Sequence, residues 1–210
     1  MIKTVIAIAV LAVASVGVSF GGTITCATGI SLSVGGASPT ISCGTLKLGD
    51  FSLFASLGNS SGRLDINAVT EDTTTGTVVL NEDPNLGAWG NLGLSFVVWG
   101  GVDQLDLSVG GSAATTKEIA CSSTSREVWD PCSSPVASLT VKSSTVNQPK
   151  FSDLFPATSP LYVFKDFYTT GGELTNVNES FHTPVPEPGS FALLGVGLAA
   201  IATVRRWRKA

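Results

Sequence analysis

Strict alternation of apolar and polar residues marks three segments of this 210-residue chain: Ile30-Ser31-Leu32-Ser33-Val34, Leu64-Asp65-Ile66-Asn67-Ala68 and Leu105-Asp106-Leu107-Ser108-Val109. Successive side chains of a strand point to opposite faces, so each segment reads as a strand with an apolar inner face and a polar outer one. Less regular runs rich in β-branched and aromatic residues occur at Val78 to Leu80, Leu92 to Trp99, Leu139 to Val141 and Leu161 to Phe167. Turn signals separate them: Gly35-Gly36, Gly58-Asn59, Gly100-Gly101, Gly110-Gly111 and Gly171-Gly172. With no long segment of helical period between the two ends of the chain, the pattern predicts an all-β domain. An antiparallel β-sandwich, jelly-roll-like or immunoglobulin-like, fits best, with a β-barrel of similar size as the alternative.

The two ends follow other rules. Lys3 precedes the unbroken apolar run Val5 to Val18, and small residues near Ser19 or Gly21 offer cleavage sites, so residues 1–22 read as a secretory signal peptide. Cys26 does not read as a lipidation site, because Thr25 precedes it. At the other end, Pro186-Glu187-Pro188 leads into the uncharged segment 191–204 and then into Arg205-Arg206-Trp207-Arg208-Lys209. As a helix this apolar segment would reach roughly 21 Å, against roughly 30 Å of hydrocarbon. Snorkelling by the basic tail and an interfacial Trp207 extend its effective reach. A buried core helix would carry a polar face, and this segment has none. By the positive-inside rule Lys3 and the basic cluster Arg205, Arg206, Arg208 and Lys209 face the cytoplasm, which places everything between them outside.

The C-terminal residues Val185-Pro186-Glu187-Pro188-Gly189-Ser190, the apolar segment after them and the basic tail resemble the PEP-CTERM sorting signal of exported bacterial proteins. The resemblance implies that an exosortase, an integral-membrane processing enzyme, recognises the motif and removes the tail. It also implies inner-membrane anchoring before processing, and release or transfer to the cell surface or extracellular matrix afterwards. Pro186 and Pro188 fix their own φ angles and bias Val185 and Glu187 toward extended conformations, so the motif stands as a stiff segment outside the bilayer. The expected organisation is therefore a signal peptide over 1–22, an exported domain over 23–183 and a sorting signal over 184–210. Within the sorting signal the motif occupies 185–190, the hydrophobic helix 191–204 and the basic tail 205–209.

Apolar ends raise the mean hydropathy of the whole chain to +0.34. Residues 23–183 hold 7 Lys and Arg against 15 Asp and Glu, a formal charge of 7 − 15 = −8. Such a surface repels nucleic acid, and no basic patch with interleaved aromatics is present, so no nucleic-acid partner is expected. The four cysteines fall into local pairs, and an oxidising compartment favours the bridges Cys26–Cys43 and Cys121–Cys132 over a zinc site, whose spacings they lack.

Candidate chemistry is sparse. The one histidine, His182, is expected in the exposed tether before the sorting motif, which leaves Ser-His-Asp or Cys-His designs without a base. Glu71-Asp72, Glu82-Asp83 and Asp103 with Asp106 are conceivable acid and base pairs, yet each reads as part of a turn-like, solvated segment. The run Asn81-Glu82-Asp83-Pro84-Asn85 offers oxygen ligands without the spacing of a calcium loop. Trp89 in a loop is the better sugar-stacking candidate, Trp99 in an alternating strand reads as core, and Trp129 lies in a polar loop with Arg126 and Asp130. The expected function is that of a non-catalytic envelope or extracellular-matrix protein, without cofactor or metal. A surface module binding extracellular polysaccharide is the alternative, and a secreted hydrolase a third reading.

Overall fold

The computed structural model describes residues 22–55, 62–123, 132, 134–143 and 149–184. The signal peptide, the sorting motif from Val185 onward, the C-terminal apolar helix, the basic tail and the loop with Arg126, Trp129 and Asp130 lie outside them. Among the described residues no helix is long and apolar enough to cross a membrane.

Among the described residues ten antiparallel strands form one sheet: β1 (Thr23–Ser33), β2 (Ile41–Cys43), β3 (Leu46–Ala55), β4 (Arg63–Asp72), β5 (Thr77–Asp83), β6 (Asn91–Trp99), β7 (Gln104–Cys121), β8 (Ala137–Lys142), β9 (Lys150–Phe151) and β10 (Leu161–His182). The 22-residue β10 organises the rest. Its first half pairs with β6 and with the end of β7, and its second half with β5 and the start of β7. Strand order across the sheet runs β1-β4-β5-β10-β6-β3-β2, with β8 and β9 added on the far side of β7.

That sheet is bent double. Lys165 and Glu179, 14 residues apart on β10, would be about 46 Å apart on a straight strand, yet their side chains touch. Phe96 of β6 likewise packs edge-on against Phe181 at the far end of β10, with ring centroids 6.0 Å apart. The first half-sheet (β2, β3, β6, the start of β10, the end of β7, β8) therefore faces the second (β1, β4, β5, the end of β10, the start of β7, β9) across one core of Leu, Val, Ile and Phe. At the open side the disulfide Cys26–Cys43 brings the edge strands β1 and β2 together, with Cα atoms 5.4 Å apart, so the bent sheet approaches a barrel. Cys121–Cys132 holds the end of β7.

Glycine makes the corner possible. Gly110-Gly111 and Gly171-Gly172, which read from sequence as turns between strands, lie inside β7 and β10, where the register shifts twice between Thr169 and Asn176. At Gly172 a Cβ would stand 1.9 Å from the Ser112 carbonyl oxygen, and at Gly111, with φ 125°, 2.2 Å from that of Glu173. The two backbones meet here too closely for any side chain, and pairing continues through the bend instead of ending. The alternation of β3, invisible as a regular run, is interrupted by a bulge between Gly49 and Ser52.

Gly172→Ala is expected to destabilise the fold by about 1–3 kcal/mol through this backbone overlap, read as a lower urea midpoint. An unchanged midpoint would mean that the corner does not need the close approach.

Candidate ligand face and a buried charge cluster

Alternation along β10 sorts its first half into two rows. Leu161, Val163, Lys165, Phe167 and Thr169 are buried, whereas Tyr162, Phe164, Asp166 and Tyr168 are half-buried on the outer face of the first half-sheet. Register extends that outer row sideways: Phe164 lies opposite Ser95 and Ile119, Asp166 opposite Gly93 and Lys117, and Tyr168 opposite Asn91 and Thr115. Gly93 leaves room for the Phe54 ring of β3, which occupies the space a Cβ would need. Further along, Trp99 covers Gly49, and Lys47 Nζ sits 4.9 Å from its ring centroid. The face thus carries aromatic rings at alternate positions on one strand and on its neighbours, interleaved with Asp166, Asn91 and Ser95. Burial raises the Asp166 carboxyl pKa above its ordinary value, against the opposing pull of Lys117 and a hydrogen bond with Asn91.

This corrects the reading of Trp99 as core: its side chain is half-buried on the outside of the sheet. Trp89, read as the better surface candidate, is 67% exposed, with φ 62°. It belongs to the corner, between β5 and β6, with its ring beside Gly171. Alternation also breaks up the expected oxygen-rich turn at 81–85. Asn81 points outward and donates to Asn176 and Asn178, Glu82 enters the core, and the Asp83 carboxylate accepts from the Asn85 amide. Of Cys26, Cys43 and Glu71, a donor set at metal-binding distance, both sulfurs are spent on the disulfide.

His182 is not in a tether. It is the last residue of β10, held on the outer face of the second half-sheet between β5 and β7. Its Nε2 lies 2.9 Å from Asp106 Oδ2 and its Nδ1 3.2 Å from Thr77 Oγ1. With a carboxylate at Nε2, that nitrogen carries the proton and Nδ1 accepts from the Thr77 hydroxyl. Both ring nitrogens are thereby occupied in a cross-strand tie. The sequence argument that no base stands near a hydroxyl is overturned, because strand pairing joins residues 76 and 105 positions away from His182. Asp103 does not share the tie; its amide bonds the His182 carbonyl.

The least expected site lies in the core. Lys165 and Glu118 project inward from the first half-sheet, and Glu82 and Glu179 from the second, all with side chains 0–1% exposed. Lys165 Nζ lies 2.5 Å from Oε2 of both Glu82 and Glu179 and 3.9 Å from that of Glu118, and within 6.0 Å of the Phe96 and Phe167 ring centroids. Three carboxylates around one ammonium cannot all be ionised in an apolar core. Burial pushes Glu82 and Glu118 up to about 7 each, and burial together with the Glu118 charge raises Glu179 well above the ordinary range. Burial alone would lower Lys165, but the charges of Glu179, Glu82 and Glu118 outweigh it and raise its pKa. From sequence Glu82 passed for a turn residue. The inward phase of Val78-Val79-Leu80-Asn81-Glu82 was the available signal that it is not.

The sign of the pH response follows. Glu118 binds its proton more tightly folded than unfolded, so its contribution to stability is complete below its ordinary value of 4.5 and is lost as pH rises through about 7. The urea midpoint is expected to fall between about pH 5 and about pH 8, and Glu118→Gln, neutral throughout, to flatten that fall. A midpoint that climbs over the same interval would contradict the burial of these carboxyls.

Residues 184–209 match the family model described as the PEP-CTERM protein-sorting motif. No curated protein matches the chain in sequence. Among solved structures it is similar to TmCBM61, determined in complex with beta-1,4-galactotriose, at 10% identity over 63% of this chain and 85% of that one, with a TM-score of 0.34. It is also similar to a family 29 carbohydrate-binding module from Piromyces equi, at 8% identity over 82% of this chain and 99% of that one, with a TM-score of 0.30. Likeness at these scores carries no argument about this chain, and the ligands remain a property of those modules. The sorting motif is the specific finding: this is a PEP-CTERM domain-containing protein, exported and carrying an exosortase sorting signal at residues 184–209.

Proposed function

We propose that the protein is a non-catalytic component of the cell surface or extracellular matrix, processed by an exosortase at Val185-Pro186-Glu187-Pro188, whose exported domain binds polysaccharide on the outer face of its first half-sheet. One observation carries the binding reading: Tyr162, Phe164 and Tyr168 alternate along β10 on one exposed-side row, flanked by Phe54 and Trp99 and interleaved with Asp166, Asn91 and Ser95. Alternate residues of a strand stand about 7 Å apart, on the scale of a sugar ring. Aromatic faces accept the C–H faces of pyranoses, and the polar groups between them accept or donate to ring hydroxyls. With Glu82, Glu118, Glu179 and Lys165 in the core, residues 23–183 still carry a formal charge of 6 − 12 = −6 outside it, which repels anionic polymers and so favours neutral glycans.

Isothermal titration with neutral polysaccharides tests the face. Phe164→Ala is expected to weaken binding about tenfold or more, a loss of about 1.4 kcal/mol, with the circular dichroism unchanged. If Trp89→Ala abolishes binding and Phe164→Ala does not, the ligand sits at the corner and the proposed face is wrong. For the sorting step, replacing Pro186 and Glu187 by Ala is expected to leave an unprocessed protein retained in the membrane fraction. Normal tail removal in that variant would refute recognition at this motif.

A further inference from the structure

We infer that Lys165 and Glu179 condense into an intramolecular amide that staples the two halves of β10 together through the core. The geometry brings the groups together: Nζ stands 2.5 Å from Oε2 of both Glu179 and Glu82, with every side chain sealed from water. The two contacts differ. Lys165 donates a hydrogen bond to Glu82, whereas the Glu179 contact has the distance but not the angles of a hydrogen bond, so the nitrogen is not held along a lone pair of that carboxyl. Groups held at contact distance react as if at effective concentrations of about 10⁵ M or more.

Each neighbour has a role. Although the carboxylates around it hold the ammonium proton tightly, the step needs a free amine, and Glu82, as carboxylate in direct contact, is the base that takes one proton from Lys165. Burial and the neighbouring Glu118 charge favour the protonated form of Glu179, and a protonated carboxyl is the electrophile the amine needs. Nζ forms a bond to Cδ of Glu179, the Cδ–OH bond breaks, and a second nitrogen proton joins the departing hydroxyl. The products are one amide, one water and a protonated Glu82; four protons and zero net charge stand on each side. No oxidant, reductant or co-reactant is required. Burying an ammonium and a carboxylate is costly, whereas a neutral amide carries no charge to desolvate, so the apolar surroundings of Phe96 and Phe167 favour the condensed form. Between Lys165 and the next basic residue, Arg205, the chain has no other lysine or arginine.

Tryptic mapping of the purified protein by mass spectrometry under denaturing conditions reads the bond directly; the diagnostic peptide runs from Phe151 to Arg205, or to the new C-terminus where the tail has been removed, and its mass is compared with the linear peptide of the same ends. The expected result is no cleavage after Lys165, and a peptide spanning Lys165 and Glu179 that is lighter by one water, with fragment ions joining the two side chains. Lys165→Met is expected to restore the unreduced mass. Glu82→Gln, which removes the proton acceptor but keeps the shape, is expected to leave cleavage after Lys165 in a protein whose circular dichroism still reports strands. Ordinary cleavage after Lys165 in the wild-type chain, with the full mass retained, would overturn the inference and leave an ion cluster. A link from Lys165 to Glu82 would overturn the assignment of Glu179 as the acceptor.

Discussion

One lysine inside the sandwich sets the terms for the rest. Lys165 lies in the inward row of β10 among Leu161, Val163 and Phe167, where an apolar residue would serve the core better on transfer energy alone. An unpaired charge in that position would be prohibitive, so its partners are obligatory, and two of them come from the opposite half-sheet. Hydrophobic contacts tolerate sliding of one face over the other. A charge with directional partners does not, and the cluster selects one register between the halves. The same requirement dictates that β10 fold back after Thr169, because only then can Glu179 reach Lys165.

The corner and the cluster are therefore two aspects of one arrangement. Glycine pairs at 110–111 and 171–172 let the backbones of β7 and β10 pass close through the bend, where the ladder skips Thr170–Gly172 and resumes at Glu173, and the ion cluster decides how the bent halves seat. The outer surfaces inherit their character from the same alternation. Every inward Lys165 or Phe167 has an outward Phe164, Asp166 or Tyr168 beside it, so the strand that builds the core also builds the aromatic face. On the second half-sheet the outward row is polar instead, with Asn81, Asn176 and Asn178 bonded across strands and His182 tied to Thr77 and Asp106.

What the sequence revealed and what it hid follow from the reach of each signal. Period-two alternation is local, and it marked strands within β1, β4 and β7, while runs of β-branched and aromatic residues marked β5, β6, β8 and β10. The sequential disulfides were legible because each closes a short loop, with partners 17 and 11 residues apart. The corner was hidden because paired glycines carry the same local meaning in a hairpin turn and in a bent strand, and only the partner strand distinguishes them. The buried cluster was hidden because a charged residue at an inward position reads as a break in the pattern when its counter-charges lie 14 to 83 residues away. His182 was misplaced for a related reason: proximity to the proline-rich motif suggested a linker, while its strand partners, β5 and the start of β7, lie far upstream. Aromatic residues on β10 were noted as strand formers but not as a surface, since two-sided strands show similar residues on both faces.

The Cys26–Cys43 bridge has a consequence for how the exported domain can live among many copies of itself. A sheet that ends in two bare edges invites neighbouring molecules to add strands, and a secreted β protein at high local density is exposed to that hazard. Here the covalent bond turns the two terminal strands toward each other and leaves that side without a template for growth. A reducing environment, by parting β1 from β2, would uncover a seam through which crowded copies could fuse backbone to backbone.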